Sequence, residues 1–395
     1  MERNVPKLRF KGFNDEWKKE VISSICKLSS GSTPSKARKE YFNGTHLWVT
    51  SGELKNKYIY NTIDKITDKA IKNTNLKEYE IGSFIIAIYG LEAQGTRGSS
   101  AILGRKATIS QACMAIEPVK DIYSEFLYYW YAKYGDMIGI RYAQGTKQQN
   151  LSTDLVGNLK IIFPSLKEQE RITNFLTKVD KIIEKQDEKV KNLEKYKKGM
   201  MQKIFSQEIR FKDENGEEYP EWEEKRLKEI TIVLDNMRKP LSANERQEIK
   251  GHIPYYGANG IVDYIDDYIF DERLILLAED GGNFDEFASK PIAQIIDGKT
   301  WVNNHAHVLR TINSYVDYIF YTLVHKDIRK YINGTSRAKL NQADMLEIVI
   351  PFPCLEEQIK IANFLDKIYL LIVKESIKLE ELRQWKKGLL QQMFV

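Results

Sequence analysis

Length, composition and charge restrict the classes of protein to which this sequence can belong. Its 395 residues are 42% hydrophobic and 29% charged, which is typical of two or three folded domains and excludes a largely disordered chain. The formal net charge of +5 suits a polyanionic partner, but it suits many cytoplasmic proteins equally, so charge alone assigns no function.

Targeting and redox features favour a cytoplasmic protein. The first residues lack the apolar segment of a signal peptide, and no run approaches the ~18 to 20 apolar residues that span a bilayer. Cys26, Cys113 and Cys354 lie far apart without C-x-x-C spacing, which argues against a disulfide framework and a zinc site. We therefore expect a soluble protein of a reducing cytoplasm with no membrane partner.

Residues 1–160 are predicted to form a strand-rich mixed α/β domain with long loops. Short apolar runs such as residues 84–88 alternate with glycine and asparagine turn signals, and a helical pattern covers residues 125–134. The loops combine basic side chains with Ser, Thr and Gln, types that reach phosphates or read purine edges in DNA, although a solvated or turn-forming role is commoner for each one alone. The candidates for DNA contact in this half are Ser32, Thr33, Ser35, Lys36, Arg38, Arg97, Lys147 and Gln148.

Residues 161–207 are predicted to form one long helix. Apolar residues recur at alternating spacings of four and three from Ile172 to Ile204, with polar interruptions at Gln186 and Lys197. Such a helix would extend about 60 Å at 1.5 Å per residue, so we interpret it as a spacer. The candidate coiled-coil or partner contacts on this helix are Ile172, Leu176, Val179, Ile183 and Leu193.

Residues 208–350 are predicted to form a second mixed α/β domain with little sequence identity to the first. It has the same kinds of turn and loop, and a helical pattern at residues 315–326 again precedes a Gly-Thr turn. Its loops again place basic and amide side chains close to aromatic ones. The candidates for DNA contact in this half are Arg238, Lys239, Tyr255, Tyr256, Asn259, Asn303, Arg337 and Lys339.

Residues 351–395 repeat the central helix. Glu168-Gln169 matches Glu357-Gln358 and Lys197-Lys198-Gly199 matches Lys386-Lys387-Gly388, each pair 189 positions apart. The apolar stripe continues with polar interruptions at the equivalent positions Glu375 and Lys386, which favours mutual pairing of the helices over two amphipathic helices that each pack only on their own domain. The candidate contacts on the second helix are Ile361, Leu365, Ile368, Ile372 and Leu382.

A second, weaker sequence repeat precedes each domain. Arg9-Phe10-Lys11 matches Arg210-Phe211-Lys212, and Glu16-Trp17 matches Glu221-Trp222. The repeated unit is therefore about half the chain. The segments at its two ends recur in both halves, whereas the domain sequence between them differs.

No catalytic motif is apparent. A methyltransferase would need an Asn/Asp-Pro-Pro-Tyr/Phe loop, and a motor ATPase would need G-x-x-x-x-G-K-[ST]; the sequence has neither. Asp297-Gly298-Lys299 has the D-x-K ending of metal-dependent nuclease motifs, and Glu279 and Asp280 lie upstream. Such a combination of charged residues arises easily by chance in a chain that is 29% charged. His305-x-His307 lacks an evident third ligand, so a surface or hydrogen-bonding role is favoured over a metal site. We assign neither catalytic nor metal-binding residues.

Taken together, these motifs resemble the specificity subunit of type I restriction-modification enzymes over essentially the whole chain. The resemblance rests on L-x-E-Q-x-x-I at Leu166 and again at Leu355, the Phe-Pro pairs before them and the Lys-Lys-Gly segments. The phrases Gly-Ser-Thr-Pro-Ser at residues 31–35 and Ile-Pro-Tyr-Tyr-Gly-Ala-Asn-Gly at residues 253–260 add to it.

The resemblance implies an α+β fold in which two target-recognition domains are separated by two conserved helices that form an antiparallel, pseudo-twofold coiled coil. It also implies a non-catalytic reader of double-stranded DNA with a bipartite, asymmetric site. Its partners would be two methyltransferase and two restriction (translocase) subunits. S-adenosylmethionine, ATP and Mg²⁺ would then belong to those partners, with no cofactor in this chain.

Two other classes of function stay open from the residues alone. One is a coiled-coil scaffold without nucleic-acid function, and the other is a DNA-modifying enzyme, which the missing motifs disfavour. A truncated or antirestriction-type relative is disfavoured by the intact second helix. The Lys-Lys-Gly segments interrupt both stripes at one heptad position, so we expect partner or helix-end contacts at Lys197 and Lys386.

Overall fold

A computed structural model describes residues 4–74, 76–93, 95–143, 149–334 and 338–395 of the chain. The chain divides into two compact units: Met1–Glu188 with Ser376–Val395 forms unit 1, and Lys189–Glu375 forms unit 2. Both units mix helices and sheets, as predicted. Among the described residues, no helix combines the length and apolar character needed to cross a membrane.

Unit 1 contains two main sheets and the first part of a long helix. Short 3-10 turns occur at Lys39–Tyr41 and Ser51–Glu53, and the expected helix around residues 125–134 is present. The strands are β1 (Lys18–Val21), β2 (Cys26–Ser30), β3 (Phe42–Val49), β4 (Tyr58–Ile59), β5 (Lys65–Ile66), β6 (Glu78–Tyr79), β7 (Phe84–Ala87), β8 (Ser100–Leu103), β9 (Ala107–Ile109), β10 (Cys113–Pro118) and β11 (Lys160–Phe163), and the helices are α1 (Ile22–Ile25), α2 (Asp68–Thr74), α3 (Ser124–Tyr142), α4 (Thr153–Gly157) and α5 (Leu166–Phe205).

The sheets of unit 1 follow from its apolar runs. β7 is buried at every position and lies in the middle of a sheet ordered β2-β10-β7-β8-β4, as expected for a short, continuously apolar strand. A second sheet is ordered β5-β3-β9-β6, and its central pair β3 and β9 is parallel. β1 and β11 form a separate antiparallel ribbon immediately before α5.

Unit 2 repeats this organisation. Its 3-10 turns lie at Asp235–Met237, Phe284–Glu286 and Arg329–Tyr331. The strands are β12 (Glu223–Arg226), β13 (Thr231–Val233), β14 (Lys250–Gly257), β15 (Gly260–Ile265), β16 (Phe270–Asp271), β17 (Leu274–Ala278), β18 (Ala293–Ile296), β19 (Lys299–Val302), β20 (Ala306–Thr311), β21 (Ile332–Asn333), β22 (Lys339–Leu340) and β23 (Val349–Phe352), and the helices are α6 (Leu227–Ile230), α7 (Ala243–Glu248), α8 (Val316–Leu323), α9 (Gln342–Leu346) and α10 (Leu355–Met393).

The sheet orders of the two units correspond strand by strand. In unit 2 one sheet is ordered β13-β20-β17-β18, with β17 wholly buried, and the other is ordered β15-β14-β19-β16, with β14 and β19 parallel. β12 and β23 form the ribbon before α10, as β1 and β11 do before α5. β4 is the one strand of these sheets in unit 1 without a counterpart in the described part of unit 2. The divergent sequences therefore encode one topology twice.

Each unit contains an antiparallel pair of helix segments. In unit 1 the first part of α5 lies beside the end of α10, with Lys386 Nζ 2.6 Å from Asp180 Oδ1 and Arg383 Nη2 3.1 Å from Asp187 Oδ1. In unit 2 the end of α5 lies beside the first part of α10, and Lys189 Nζ is 2.7 Å from Glu375 Oε1. The predicted antiparallel arrangement is therefore present in both units.

The predicted coiled-coil stripes also pack against the domain cores. The core of unit 1 includes the start of α5 and the end of α10, and the core of unit 2 includes the start of α10 and the end of α5. Helix pairing and packing on the domain therefore both account for the apolar stripe. The first turns of each long helix are buried in the core of their own domain, and later turns contact the other long helix. The candidates are buried at Ile172, Leu176, Val179, Ile361, Leu365 and Ile368 and partly buried at Ile183, Leu193, Ile372 and Leu382.

Candidate nucleic-acid interface

In each unit, one parallel strand pair brings two loops to the same sheet edge. Parallel strands end at a common edge, so the residues that follow β3 and β9 in unit 1 lie together, as do those that follow β14 and β19 in unit 2. Ser110 N donates to Val49 O at 2.8 Å, and the equivalent bond in unit 2 runs from Asn303 N to Tyr256 O at 3.0 Å. We call these places the reading edges of units 1 and 2.

A third segment joins each reading edge. In unit 1, Ser32 N donates to Ile109 O at 3.1 Å, and in unit 2, Lys239 N donates to Val302 O at 3.4 Å. Gly31 allows the close approach in unit 1, because a Cβ at this position would lie 2.2 Å from Ile109 O. Two loops that the sequence analysis selected independently therefore occupy equivalent places in the two units.

The loop after Gly31 carries most of the predicted DNA contacts of unit 1. Thr33 is partly buried, and its Oγ1 accepts a hydrogen bond from Gln111 N at 3.3 Å, which ties the loop to the reading edge. Arg38 Nη1 donates to Tyr41 Oη at 2.9 Å, with the guanidinium 5.5 Å from the ring centre, so the ring orients an exposed cation. Ser32, Ser35, Lys36 and Arg38 are exposed.

Arg97 is held by contacts within unit 1, and its predicted DNA contact stays a prediction. Its Nε is 2.7 Å from Asp136 Oδ1, and the aliphatic part of its side chain passes so close to Gly139 that a Cβ there would lie 2.4 Å from Arg97 Cγ. These contacts fix the loop before β8 against α3, which accounts for the residue without a DNA contact. The candidates Lys147, Gln148 and Arg337 lie outside the described residues.

The reading edge of unit 2 surrounds a cavity of about 450 Å³. The turn between β14 and β15 supplies Asn259, whose Nδ2 donates to Gly281 O at 2.8 Å. Asn303 is buried, and its Oδ1 accepts from His305 N at 2.8 Å, which shapes the loop after β19. His305 lies on the cavity wall with its Nδ1 bonded to the Asp280 carboxylate. Polar side chains from three separate loops thus converge on one concave surface.

The remaining candidates of unit 2 divide into structural and exposed residues. Tyr255 is buried, and its hydroxyl accepts from Leu241 N at 3.0 Å, so it holds a neighbouring loop in place. Tyr256 is partly buried, and burial, followed by the neighbouring Tyr264, raises the pKa of its hydroxyl, which keeps it neutral. Lys239 is exposed, with its Nζ 5.9 Å from the ring centre of Trp301.

Arg238 and Lys339 belong to an ion cluster behind the reading edge. Arg238 is 12% exposed and lies 2.6 Å from Glu279 Oε2 and 3.2 Å from Asp235 Oδ2, while Lys339 Nζ is 3.0 Å from Glu279 Oε1. Burial raises the pKa of Glu279, but the hydrogen bonds from Arg238 and Lys339 outweigh it and hold the pKa below its ordinary value. The guanidinium of Arg238 is therefore paired within this cluster, and its contact with DNA stays a prediction.

Three residues at the reading edges carry suitable chemistry but were absent from the candidates for DNA contact. Gln111 is exposed in the loop after β9, and Asp280 and His305 line the cavity of unit 2. The sequence analysis considered Asp280 only for nuclease chemistry, and it favoured a surface or hydrogen-bonding role for His305 over metal binding. Their common location depends on which strands pair in parallel, and local sequence patterns do not contain that information.

Comparison with known proteins identifies the family. The family model for the type I restriction modification DNA specificity domain matches the chain twice, at residues 14–195 and 219–384. The chain belongs to this family. Specificity subunits of type I restriction systems are the non-catalytic DNA-recognition component, which agrees with the function class predicted from the motifs.

Individual relatives agree with this assignment. A type I restriction enzyme specificity subunit of Methanocaldococcus jannaschii, MjaIX, is 25% identical over 418 aligned positions that cover 96% of this chain and 92% of the relative. A Haemophilus influenzae protein described as a specificity subunit, S.HindORF215P, is 36% identical over 149 residues, covering 38% of this chain and 37% of that protein. The crystal structure of a type I restriction-modification S subunit from M. genitalium has the same fold, with a TM-score of 0.62, 19% identity and 99% coverage of both chains.

In this specificity subunit, the acidic cluster of unit 2 already has cationic partners. Asp235, Glu279 and His307 place one potential ligand atom each within 4.8 Å of one another. However, His307 Nε2 faces the carbonyl oxygen of Leu340 at 2.8 Å and must donate to it, while Nδ1 faces the Asp235 carboxylate. With Arg238 and Lys339 also paired to the carboxylates, the cluster is best explained as a buried ion network that supports the β13, β17 and β20 ends.

Proposed function

We propose that this chain reads a bipartite, asymmetric DNA sequence, with one half-site contacted by each reading edge. The proposal rests on one observation: the two units share one topology but present different side chains at their reading edges. The reading edge of unit 1 presents Lys36, Arg38 and Gln111, whereas that of unit 2 presents Lys239, Asn259 and His305. One frame with two different sets of side chains is suited to two different half-sites.

Phosphate and base contacts have different expected roles at each edge. The exposed cations Lys36, Arg38 and Lys239 are suited to phosphates, and these contacts would supply a salt-dependent share of the affinity. Amide and imidazole side chains at the same edges are suited to hydrogen bonds with base edges, which supply sequence preference. Ser32, Ser35 and Thr33 would add uncharged contacts.

The repeated frame outside the reading edges would dock the partners. The ribbon and the L-x-E-Q helix start occur once per unit, and each unit holds one antiparallel pair of long-helix segments. Two methyltransferase subunits could therefore each meet an equivalent surface, and two restriction subunits would complete the complex. S-adenosylmethionine, ATP and Mg²⁺ would act on those subunits. The complex would operate in the cytoplasm, where it would modify host DNA and permit cleavage of unmodified foreign DNA.

A domain exchange tests the proposal. The β1–β11 ribbon borders the variable part of unit 1, so residues 22–159 can be replaced by those of a relative while the ribbon and α5 stay intact. We expect the exchange to change one half-site of the methylated motif and leave the other half-site and the spacer unchanged. The measurement is sequencing of adenine methylation in cells that express the chimaera with its methyltransferase, and the wild-type chain is the reference. A change in both half-sites would contradict the assignment of one half-site to each unit.

A further inference from the structure

The cavity at the reading edge of unit 2 presents two hydrogen-bonding groups at its surface. The side chain of His305 is 42% exposed, and its Nδ1 is bonded to Asp280. An ionised carboxylate only accepts hydrogen bonds, so Nδ1 carries the donated hydrogen, and in the tautomer that this bond selects Nε2 is an acceptor. No hydrogen bond from the described residues reaches Nε2. The protein therefore fixes one side of the ring and leaves the other available.

Asn259 is held in a comparable way. Its Nδ2 donates to Gly281 O at 2.8 Å, which orients the amide and leaves Oδ1 as an acceptor. The residue is exposed on the two-residue turn between β14 and β15, and Gly260 completes the turn at φ +139°. Asn259 and His305 thus come from different loops, and both line the same cavity.

The surroundings favour a fixed rather than an adaptable site. Asn303 is 7% exposed, receives its position from a bond between its N–H and Tyr256 O, and in turn accepts from His305 N. Glu279 N and Asp280 N both approach His305 O, at 2.9 and 3.4 Å. This network restrains the backbone on both sides of the imidazole, so little conformational freedom would be lost on binding.

We infer that this cavity is a base-reading subsite of unit 2, in which His305, supported by Asp280 and Asn303, and Asn259 determine specificity for a base that carries an exocyclic amino group. In the major groove, such groups are adenine N6 and cytosine N4, which donate to acceptors of the kind that Nε2 and Oδ1 provide. The inference rests on the proposed function, because it assigns residues within the half-site of unit 2.

The corresponding place in unit 1 agrees with a specificity role. The loop after β9, equivalent to the one that carries His305, presents the exposed Gln111. A residue that only stabilised the frame would be expected to recur with the frame, as Glu168 and Glu357 do at the helix starts. Counted from the equivalent backbone bonds of Ser110 and Asn303, His305 corresponds to Ala112, so the side chain differs while the backbone bond is retained.

The first experiment compares sequence selection by His305→Ala and the wild type. Each full-length chain, assembled with its methyltransferase subunit, selects from a duplex DNA library in which the positions of both half-sites are randomised. We expect His305→Ala to lose preference at one position of one half-site, with affinity for the wild-type motif reduced about 5- to 150-fold, and to retain the other half-site and the slope of affinity against salt. His252→Ala, an exposed histidine on β14 that does not line the cavity, is the matched control and should select the wild-type motif.

The second experiment tests the chemistry of the contact. At the position identified, the exocyclic amino group is replaced by hydrogen, using purine in place of adenine or pyrimidin-2-one in place of cytosine. We expect the wild type to lose affinity for this DNA by about the same factor as His305→Ala loses on the natural motif, and His305→Ala to lose little more. If His305→Ala assembles poorly, Asn259→Ala in the same two measurements should relax the same position or its neighbour.

The outcomes separate this inference from the proposed function. If the wild-type complex selects no motif from the library, the proposed function is wrong. If it selects a motif and His305→Ala selects the same motif with equal affinity, or loses affinity uniformly over all sequences, only the base-reading subsite is wrong. An undiminished affinity of the wild type for the DNA that lacks the amino group would also overturn it.

Discussion

Two arginine–glutamate pairs explain why the short repeated segment before each domain, which contains Arg9 or Arg210, occurs together with the L-x-E-Q motif. Arg9 Nε and Nη2 lie 2.7 and 2.8 Å from the two carboxylate oxygens of Glu168, and Arg210 makes the equivalent pair with Glu357 at 3.4 and 2.9 Å. Bidentate pairing raises the pKa of both arginines, with burial opposing it. The pairs tie the segment before each domain to the helix after it.

The glutamines that follow Glu168 and Glu357 also connect each helix start to the domain before it. Gln169 accepts from Tyr123 N at 3.0 Å and donates to Pro164 O at 2.8 Å, and Gln358 accepts from Tyr315 N and donates to Pro353 O, both at 2.9 Å. A glutamine amide can accept and donate at once, which a glutamate cannot do when ionised. The order Glu-Gln is therefore required by the partners on each side of the helix.

Glu357→Gln should lower the stability of unit 2. Glu357 is fully buried and also accepts from Trp222 Nε1 at 2.8 Å, so the neutral amide would leave Arg210 with only the exposed carboxylate of Glu221, 3.7 Å from its Nη1, as a counter-charge. We expect the free energy of unfolding to fall by about 3 kcal/mol, as is typical when one partner of a buried pair is removed. Denaturant unfolding followed by tryptophan fluorescence measures the change, with Asp327→Asn, which breaks an exposed pair with Arg329, as the control. Equal effects of the two substitutions would argue against a structural role for the buried pair.

Within the long helices, the shared polar interruption at Lys197 and Lys386 serves the helix pair. Lys386 Nζ is 2.6 Å from Asp180, and Lys197 Nζ lies 5.2 and 5.0 Å from the ring centres of Tyr321 and Tyr369. Asp180 and Tyr369 occupy equivalent positions of the repeat, 189 residues apart. Both side chains thus make contacts inside their own unit, and the expected partner or helix-end contacts stay a prediction.

Matched methionine substitutions should separate the two lysines. Lys386→Met leaves the 13% exposed carboxylate of Asp180 without its cation, and we expect unfolding to require about 2 kcal/mol less, since the pair is partly exposed. Lys197→Met removes a partly buried charge that contacts aromatic rings rather than a carboxylate and keeps chain length, so stability should be unchanged or higher. Denaturant unfolding of the two variants provides the comparison, and a loss at Lys197 as large as that at Lys386 would be inconsistent with this explanation.

The pH dependence of stability should distinguish the same variants. Burial lowers the pKa of Lys197 below its ordinary value of 10.5, with the charge of Asp366 opposing it. Between the lowered pKa and 10.5 the Lys197 side chain holds more protons in the unfolded chain than in the folded chain, so the contribution of Lys197 to stability should rise with pH across this window. Lys197→Met should lack that contribution, as measured by unfolding at a series of alkaline pH values.

The elements show which parts of the fold local sequence patterns can predict. The long helices and the apolar central strands were predictable because periodicity and apolar runs are local signals. The division of each long helix between the two units could not be predicted, since it depends on which domain core each helical turn packs against. The parallel pairs of β3 with β9 and β14 with β19 join distant segments, so Gln111 and His305 could not be placed at the reading edges before the topology was known.

At the scale of the whole molecule, the division of both helices between units suggests how DNA spacing is encoded. The unit boundaries fall between Glu188 and Lys189 in α5 and between Glu375 and Ser376 in α10. Every helix contact described above lies within one unit. A length change at these two boundaries therefore preserves the pairs Lys386 with Asp180 and Lys189 with Glu375, whereas a change in one helix alone forces a register shift in one of them.

A paired insertion of one heptad should lengthen the DNA spacer without changing either half-site. Seven residues at both boundaries keep the phase of the apolar stripe and add about 10 Å of helix, which corresponds to about three base pairs. Methylation sequencing should show both wild-type half-sites separated by about three more base pairs, and the same insertion in α5 alone should impair assembly or methylation. An unchanged spacer in the doubly extended chain would mean that the helices do not determine the distance between half-sites, and the proposed separation of reading from spacing would have to be abandoned.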